Sequence, residues 1–82
     1  MVRLVFFGKL MDVAGTGQET IDLPSSVNTV AALKAWLVTR ESRWKSAFER
    51  ATDLTVTVDK RFADDTTAVA DGAEVAFVSF KA

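Results

Sequence analysis

The sequence predicts an α+β fold: a mixed sheet of four to five strands, with one main helix on one face and a short second helix. Three observations predict it. Apolar, β-branched and aromatic runs stand near both ends, at residues 2–7 and 74–80. Between them lies one long stretch with apolar residues at helical spacing, opened by a cluster of capping residues. A strictly alternating segment, residues 54–58, follows it.

Taken in order, residues 2–7 read as a strand covered on part of both faces, and Gly8 ends it. Lys9 to Val13 is expected to form a helical turn before Gly15-Thr16-Gly17 breaks the chain. From Glu19 to Leu23 the pattern alternates, with Ile21 and Leu23 on one side and Thr20 and Asp22 on the other. This is a second strand, antiparallel to the first and closed by Pro24. Either Asn28 or Thr29 can accept the free N–H groups of a helix opening at Val30. Val30, Leu33 and Leu37 share its apolar face, Trp36 flanks them, and Lys34 and Arg40 turn outward. Ser42 is placed to cap a shorter helix in which Trp44, Ala47 and Phe48 share a face. Leu54-Thr55-Val56-Thr57-Val58 is a half-buried strand, Asp59-Lys60 a turn, and Arg61-Phe62 the start of a short return strand. Asp64 to Thr67 is loop, and Asp71-Gly72 turns the chain into the last strand, residues 74–80. Residues 1–82 read as a single domain.

Composition narrows the function. In 82 residues, 49% are hydrophobic and six Phe and two Trp supply large apolar area, which argues for a packed core rather than disorder. Ten basic and eleven acidic side chains leave a net charge of −1 with no basic stripe, so no nucleic acid is expected as partner. The sequence has no Cys and no His, which removes disulfides, thiolate zinc sites, cysteine nucleophiles and the commonest general base. The chain is therefore expected to be non-catalytic alone and to bind no cofactor or metal itself. Asp64-Asp65 lacks a third ligand nearby and reads as a pair of solvated loop acids. No apolar run approaches the roughly 18 residues that span a bilayer, and no signal-peptide pattern opens the chain. A cytoplasmic protein with no membrane partner is expected.

The sheet has one face too many. In the first strand Val2, Leu4 and Phe6 point one way and Val5 and Phe7 the other; in the last, Val75 and Phe77 oppose Ala76, Val78 and Phe80. One long helix covers one face. Leu4, Phe6, Val75 and Phe77 are expected to form the core with Leu33 and Leu37, leaving Val5, Phe7, Val78 and Phe80 on the open side, joined by Phe62. Such a patch implies a protein partner. The competing arrangement folds the short helix, with Trp44 and Phe48, over that second face.

These residues carry a resemblance over the whole length. Val5-Phe6-Phe7-Gly8, the Ala14-Gly15-Thr16 turn, the helix entry Thr29-Val30-Ala31-Ala32-Leu33, then Ser42-Arg43-Trp44 and the closing Ala70-Asp71-Gly72-Ala73-Glu74-Val75-Ala76-Phe77 stand in collinear order. The chain resembles the small, sulfur-carrier subunits of molybdopterin synthase, a ubiquitin-like β-grasp family of the MoaD/ThiS type.

The resemblance implies a sulfur carrier for molybdenum cofactor biosynthesis. Its partners would be the large subunit of molybdopterin synthase and an adenylating, sulfurising activating enzyme that consumes ATP, and its active state a heterotetramer. The family's chemistry resides on a C-terminal Gly-Gly, whereas this sequence ends Val78-Ser79-Phe80-Lys81-Ala82 and stops where the diglycine would begin. The catalytic glycine is accordingly expected after Ala82 in the natural chain. Phe7, Phe62 and Val78 fall where family members contact both partners. Val78 stands where an aromatic is more usual, and Ser79 and Phe80 where a Pro-Pro pair is frequent. Phe80 restores apolar area, and Lys81 and Ala82 complete the expected partner-binding set. Two other readings differ in class: a β-grasp interaction module without carrier chemistry, and a sulfur carrier serving thiamine or tRNA thiolation.

Overall fold

The two most apolar segments of the chain pair with each other at the centre of the sheet. In the computed structural model, which describes residues 1–80, β1 (Val2–Gly8) and β5 (Glu74–Ser79) run parallel, from Arg3 opposite Glu74 to Gly8 opposite Ser79. Lys81 and Ala82 lie outside the described residues. β2 (Gln18–Ile21) pairs antiparallel with the outer edge of β1. β3 (Thr55–Val58) pairs antiparallel with β5, and β4 (Arg61–Ala63) with β3. The mixed five-stranded order is β2-β1-β5-β3-β4.

Two turns fix the ends of these strands. Asp59 and Lys60 both hold positive φ, 51° and 68°, between the paired residues Val58 and Arg61. That is the geometry of a two-residue hairpin whose turn matches the twist of its strands. Asp59 also ties the hairpin to β5, its N–H donating to the Glu74 carbonyl at 2.8 Å and its carboxylate accepting from Glu74 N–H at 3.0 Å. The helical turn expected after Gly8 is a six-residue helix, α1 (Lys9–Ala14), stopped by Gly15 in the left-handed region. Its Leu10 is fully buried.

The main helix, α2 (Val30–Arg40), opens as the capping cluster predicts. Thr29 is the N-cap, its hydroxyl accepting from Ala32 N–H at 3.2 Å. The loop at 64–67 does more than meet solvent. Its Asp65 and Thr67 carbonyls accept from Ala31 and Val30 N–H, each at 3.0 Å, so three free donors at the helix start find partners. Asp65 also pairs with Lys34 at 2.7 Å. The short helix, α3 (Arg43–Arg50), differs from expectation at its start. Ser42 sits at the N-cap position with helical angles and makes no side-chain cap bond; instead Trp44 N–H donates to the Glu41 carbonyl.

Both longer helices cover the same face of the sheet. Val30, Leu33 and Leu37 of α2 join Val2, Leu4, Phe6, Val75 and Phe77 in one core. α3 lays Trp44 against Phe6, ring centroids 5.3 Å apart, and Phe48 against Phe77 at 5.8 Å. Phe6 and Phe77 themselves stack at 6.1 Å. Burying each such side chain stabilises the fold by roughly 1.5–3 kcal/mol. The arrangement in which α3 covers the second face is thereby excluded. No helix among the described residues is long and apolar enough to cross a membrane.

Candidate functional site

With both helices on one side, cross-strand pairing organises the other side into rows. Phe7, Val78 and Thr55 lie abreast, as do Val5, Ala76, Thr57 and Phe62. A third row holds Thr20, Arg3 and Glu74, where Arg3 and Glu74 form an ion pair. The apolar rows are thus bounded on one side by a charged pair. Phe7 remains 46% exposed and Phe62, on the edge strand β4, 88% exposed. Val5 and Val78 are half-buried, and Ala76 between them is buried. Four of the predicted patch residues (Val5, Phe7, Phe62 and Val78) therefore meet on one open face.

Phe80 stands apart from those rows. β5 ends at Ser79, one residue earlier than the pattern predicts, and Phe80 begins the tail beyond it, 68% exposed. Its ring lies against Gly8. A Cβ at Gly8 would stand 2.9 Å from the Phe80 ring and 2.2 Å from the Ser79 carbonyl oxygen. Gly8 also holds φ +66° and ψ −136°, a region open in practice only to glycine. Sequence reading takes Gly8 as a strand end; the structure makes it the contact point between β1 and the start of the tail. The predicted residues Lys81 and Ala82 lie outside the described residues.

One residue of this region escaped the sequence reading. Asp53, in the turn between α3 and β3, accepts from the Ser79 hydroxyl at 2.6 Å through Oδ1 and from Phe80 N–H at 2.8 Å through Oδ2. Ser79 is fully buried, and a buried hydroxyl is expected to be hydrogen-bonded. A serine in a strand flanked by apolar residues was the available signal, since its hydroxyl needs a partner from outside the strand.

Lys60 and Arg61 are exposed at the hairpin beside Phe62. Away from this face, hydrogen bonds from Thr66 hold the Asp64 carboxyl below the usual carboxylate range, and the Met1 ammonium does the same for Asp71. Among the described residues, no group of three or more acidic side chains is placed to hold a metal ion. What these residues form is a partly exposed apolar sheet face beside the end of β5.

The sequence profile of the ThiS family matches residues 4–82, nearly the whole chain. The chain belongs to the ThiS family. No curated protein matches this ThiS-family chain by sequence. Solved structures do share its fold. A protein assigned as molybdopterin converting factor subunit 1, from Pyrococcus furiosus, superposes with a TM-score of 0.78 at 22% identity, covering 95% of this chain and 94% of that one. Small archaeal modifier protein 1 from Haloferax volcanii superposes with a TM-score of 0.76 at 23% identity, covering 95% and 92%. A second structure of that modifier gives 0.74 at 23%, covering 93% and 92%. At these identities the likeness is one of fold, the ubiquitin-like β-grasp. The family is that of the ubiquitin-like sulfur carriers.

Proposed function

We propose that this chain is a sulfur carrier for molybdenum cofactor biosynthesis, the small subunit of a molybdopterin synthase. The observation that carries the reading is the open face of Phe7, Val78 and Phe62 lying on the same strands that lead into the C-terminal tail. A carrier must dock on a partner and deliver its chain end to that partner's active site. The face supplies the docking, and the end of β5 supplies the delivery. Membership of a sulfur-carrier family and the collinear motifs, from Val5-Phe6-Phe7-Gly8 to Asp71-Gly72 and Phe77, point the same way.

The chemistry proceeds at the main-chain carboxylate, which suits a chain without Cys or His. In a partner enzyme the terminal carboxylate attacks the α-phosphate of ATP, pyrophosphate leaves, and an acyl-adenylate forms. A sulfur nucleophile then displaces AMP and leaves a thiocarboxylate. Inside the large subunit the thiocarboxylate sulfur bonds to the pterin precursor, and water then cleaves the acyl–sulfur bond, leaving sulfur on the pterin and returning the carboxylate. Glycine at the reacting end lets the tail thread a narrow channel and take backbone angles closed to other residues. The partners hold ATP and the catalytic side chains; this chain contributes the docking face and the tail.

Intact-mass analysis of the natural gene product tests the reading. Incubation with its adenylating enzyme, ATP and a sulfur donor is expected to raise the mass by the difference between sulfur and oxygen. The product is then expected to convert the pterin precursor when mixed with the large subunit. A natural product that acquires no sulfur overturns the carrier reading and leaves an interaction module. A thiocarboxylate that forms but serves only thiamine or tRNA thiolation overturns the molybdopterin assignment alone.

A further inference from the structure

The last backbone pair between β3 and β5 joins Thr55 to Val78, so β5 outruns its neighbour by one residue before the tail begins. On the other side, β1 reaches as far as Gly8 opposite Ser79. Past Val78, the backbone ladder toward β3 has ended, and the Asp53 carboxylate takes its place. Oδ1 accepts from the Ser79 hydroxyl at 2.6 Å and Oδ2 from Phe80 N–H at 2.8 Å. An ionised carboxylate offers acceptors only, with an oxygen for each of two neighbouring donors, which no neutral side chain of that size does.

The turn that carries Asp53 is itself held. Ala51 N–H donates to the Ala47 carbonyl, Thr52 N–H to the Arg50 carbonyl and Leu54 N–H to the Ala51 carbonyl, at 2.9–3.1 Å. Ala51 is buried, and α3 beneath it is fixed by Trp44 and Phe48 in the core. The carboxylate is therefore attached to the helical layer, and the hydrogen bonds pass that fixed position to the first residue of the tail. Gly8 presses on the same point from the β1 side.

We propose that Asp53 is a positioning residue, a two-oxygen clamp on Ser79 and Phe80 that sets where and in which direction the C-terminal tail leaves the sheet. The proposal rests on the carrier reading for its use but not for its existence. Fixing Phe80 gives the first residue beyond β5 a defined position before a partner meets it. Because the clamp acts on presentation of the tail and touches no reacting atom, it bears on how well the carrier is captured, not on the rate of the step that follows.

The clamp is tested in the full chain by NMR. The wild type is expected to show a through-hydrogen-bond scalar coupling between the Phe80 amide nitrogen and the Asp53 carboxyl carbon, and slow exchange of that amide. In Asp53→Asn, Phe80 amide exchange is expected to rise roughly tenfold while the Phe77 amide keeps its wild-type protection. A wild type without the coupling and with a freely exchanging Phe80 amide overturns the clamp, and this measurement needs no variant to fold. Its use is tested by steady-state adenylation with the activating enzyme. Asp53→Asn is expected to raise KM for the carrier roughly two- to tenfold at unchanged kcat. Equal KM in both forms overturns the positioning role alone. A wild type that shows the coupling but is never adenylated overturns the carrier reading, and the positioning role with it.

Discussion

Phe62 offers the sharpest test of the open face, because almost nothing in the folded chain depends on it. It is 88% exposed on the short edge strand β4, in one row with Thr57, Ala76 and Val5. Burying a phenylalanine completely is worth roughly 1.5–3 kcal/mol, so a partner that covers the exposed part of this ring gains about 1.3–2.6 kcal/mol from it. Phe62→Ala should therefore weaken binding by about ten- to eightyfold. The same substitution should move stability by no more than about 0.5 kcal/mol, since the ring leaves solvent only when a partner arrives. Isothermal titration of the full chain against the adenylating enzyme proposed above measures the first quantity, and thermal unfolding the second. A dissociation constant unchanged within twofold, in a variant that unfolds like the wild type, would refute the inclusion of the β4 edge in the docking surface. A large loss of stability would refute the premise that this residue is free of the core.

Four further outcomes follow from the same geometry. Phe7→Glu should abolish partner capture in a pull-down while leaving the circular dichroism spectrum and unfolding midpoint close to wild type; retained capture would remove the Phe7–Val78 row from the interface. Leu33→Ala, at a site with no exposure, should cost about 2–5 kcal/mol of stability in a denaturant titration. Gly8→Ala meets a positive φ and a carbonyl oxygen 2.2 Å from the new methyl, so a loss above roughly 1–3 kcal/mol is expected, with the Phe80 resonance among those most shifted. The Asp64 carboxyl, held below its usual range by Thr66, contributes stability that is present above the ordinary carboxylate pKa and lost as pH falls through the lowered one. The unfolding midpoint should thus drop below about pH 4, and more gently in Asp64→Asn.

Much of the fold can be read from the sequence because its signals are local. Strict alternation at 54–58, the capping residues before Val30 and the pair Asp71-Gly72 each specify a strand, a helix start or a turn with no help from distant residues. The two faces of β1 and β5 follow from period two, and the one long helix decides which face is covered. What stays hidden depends on long-range partners. Ser42 has the right chemistry for a cap, yet the chain arrives in helical geometry and the Glu41 carbonyl takes the role. Asp64 and Asp65 look solvated, and only the fold brings their loop over the start of α2. Asp53 looks like any loop acid until Ser79 and Phe80 arrive from 26 and 27 positions away. The apolar rows are legible as a patch; the way Asp53 holds Ser79 and Phe80 beside them is not.

The central pairing also dictates when the molecule can exist. β1 is made well before β5, with Arg3 and Glu74 separated by 71 positions. As the chain emerges from a ribosome, β1 can find β2, but its inner edge waits for β5. Sheets closed by such distant segments fold slowly, and their open edges invite association while they wait. The strand that completes the fold is the one that leads into the tail. A partner that recognised the face built on β1 and β5 would therefore meet it only after β5, the strand that carries Val78, had been made.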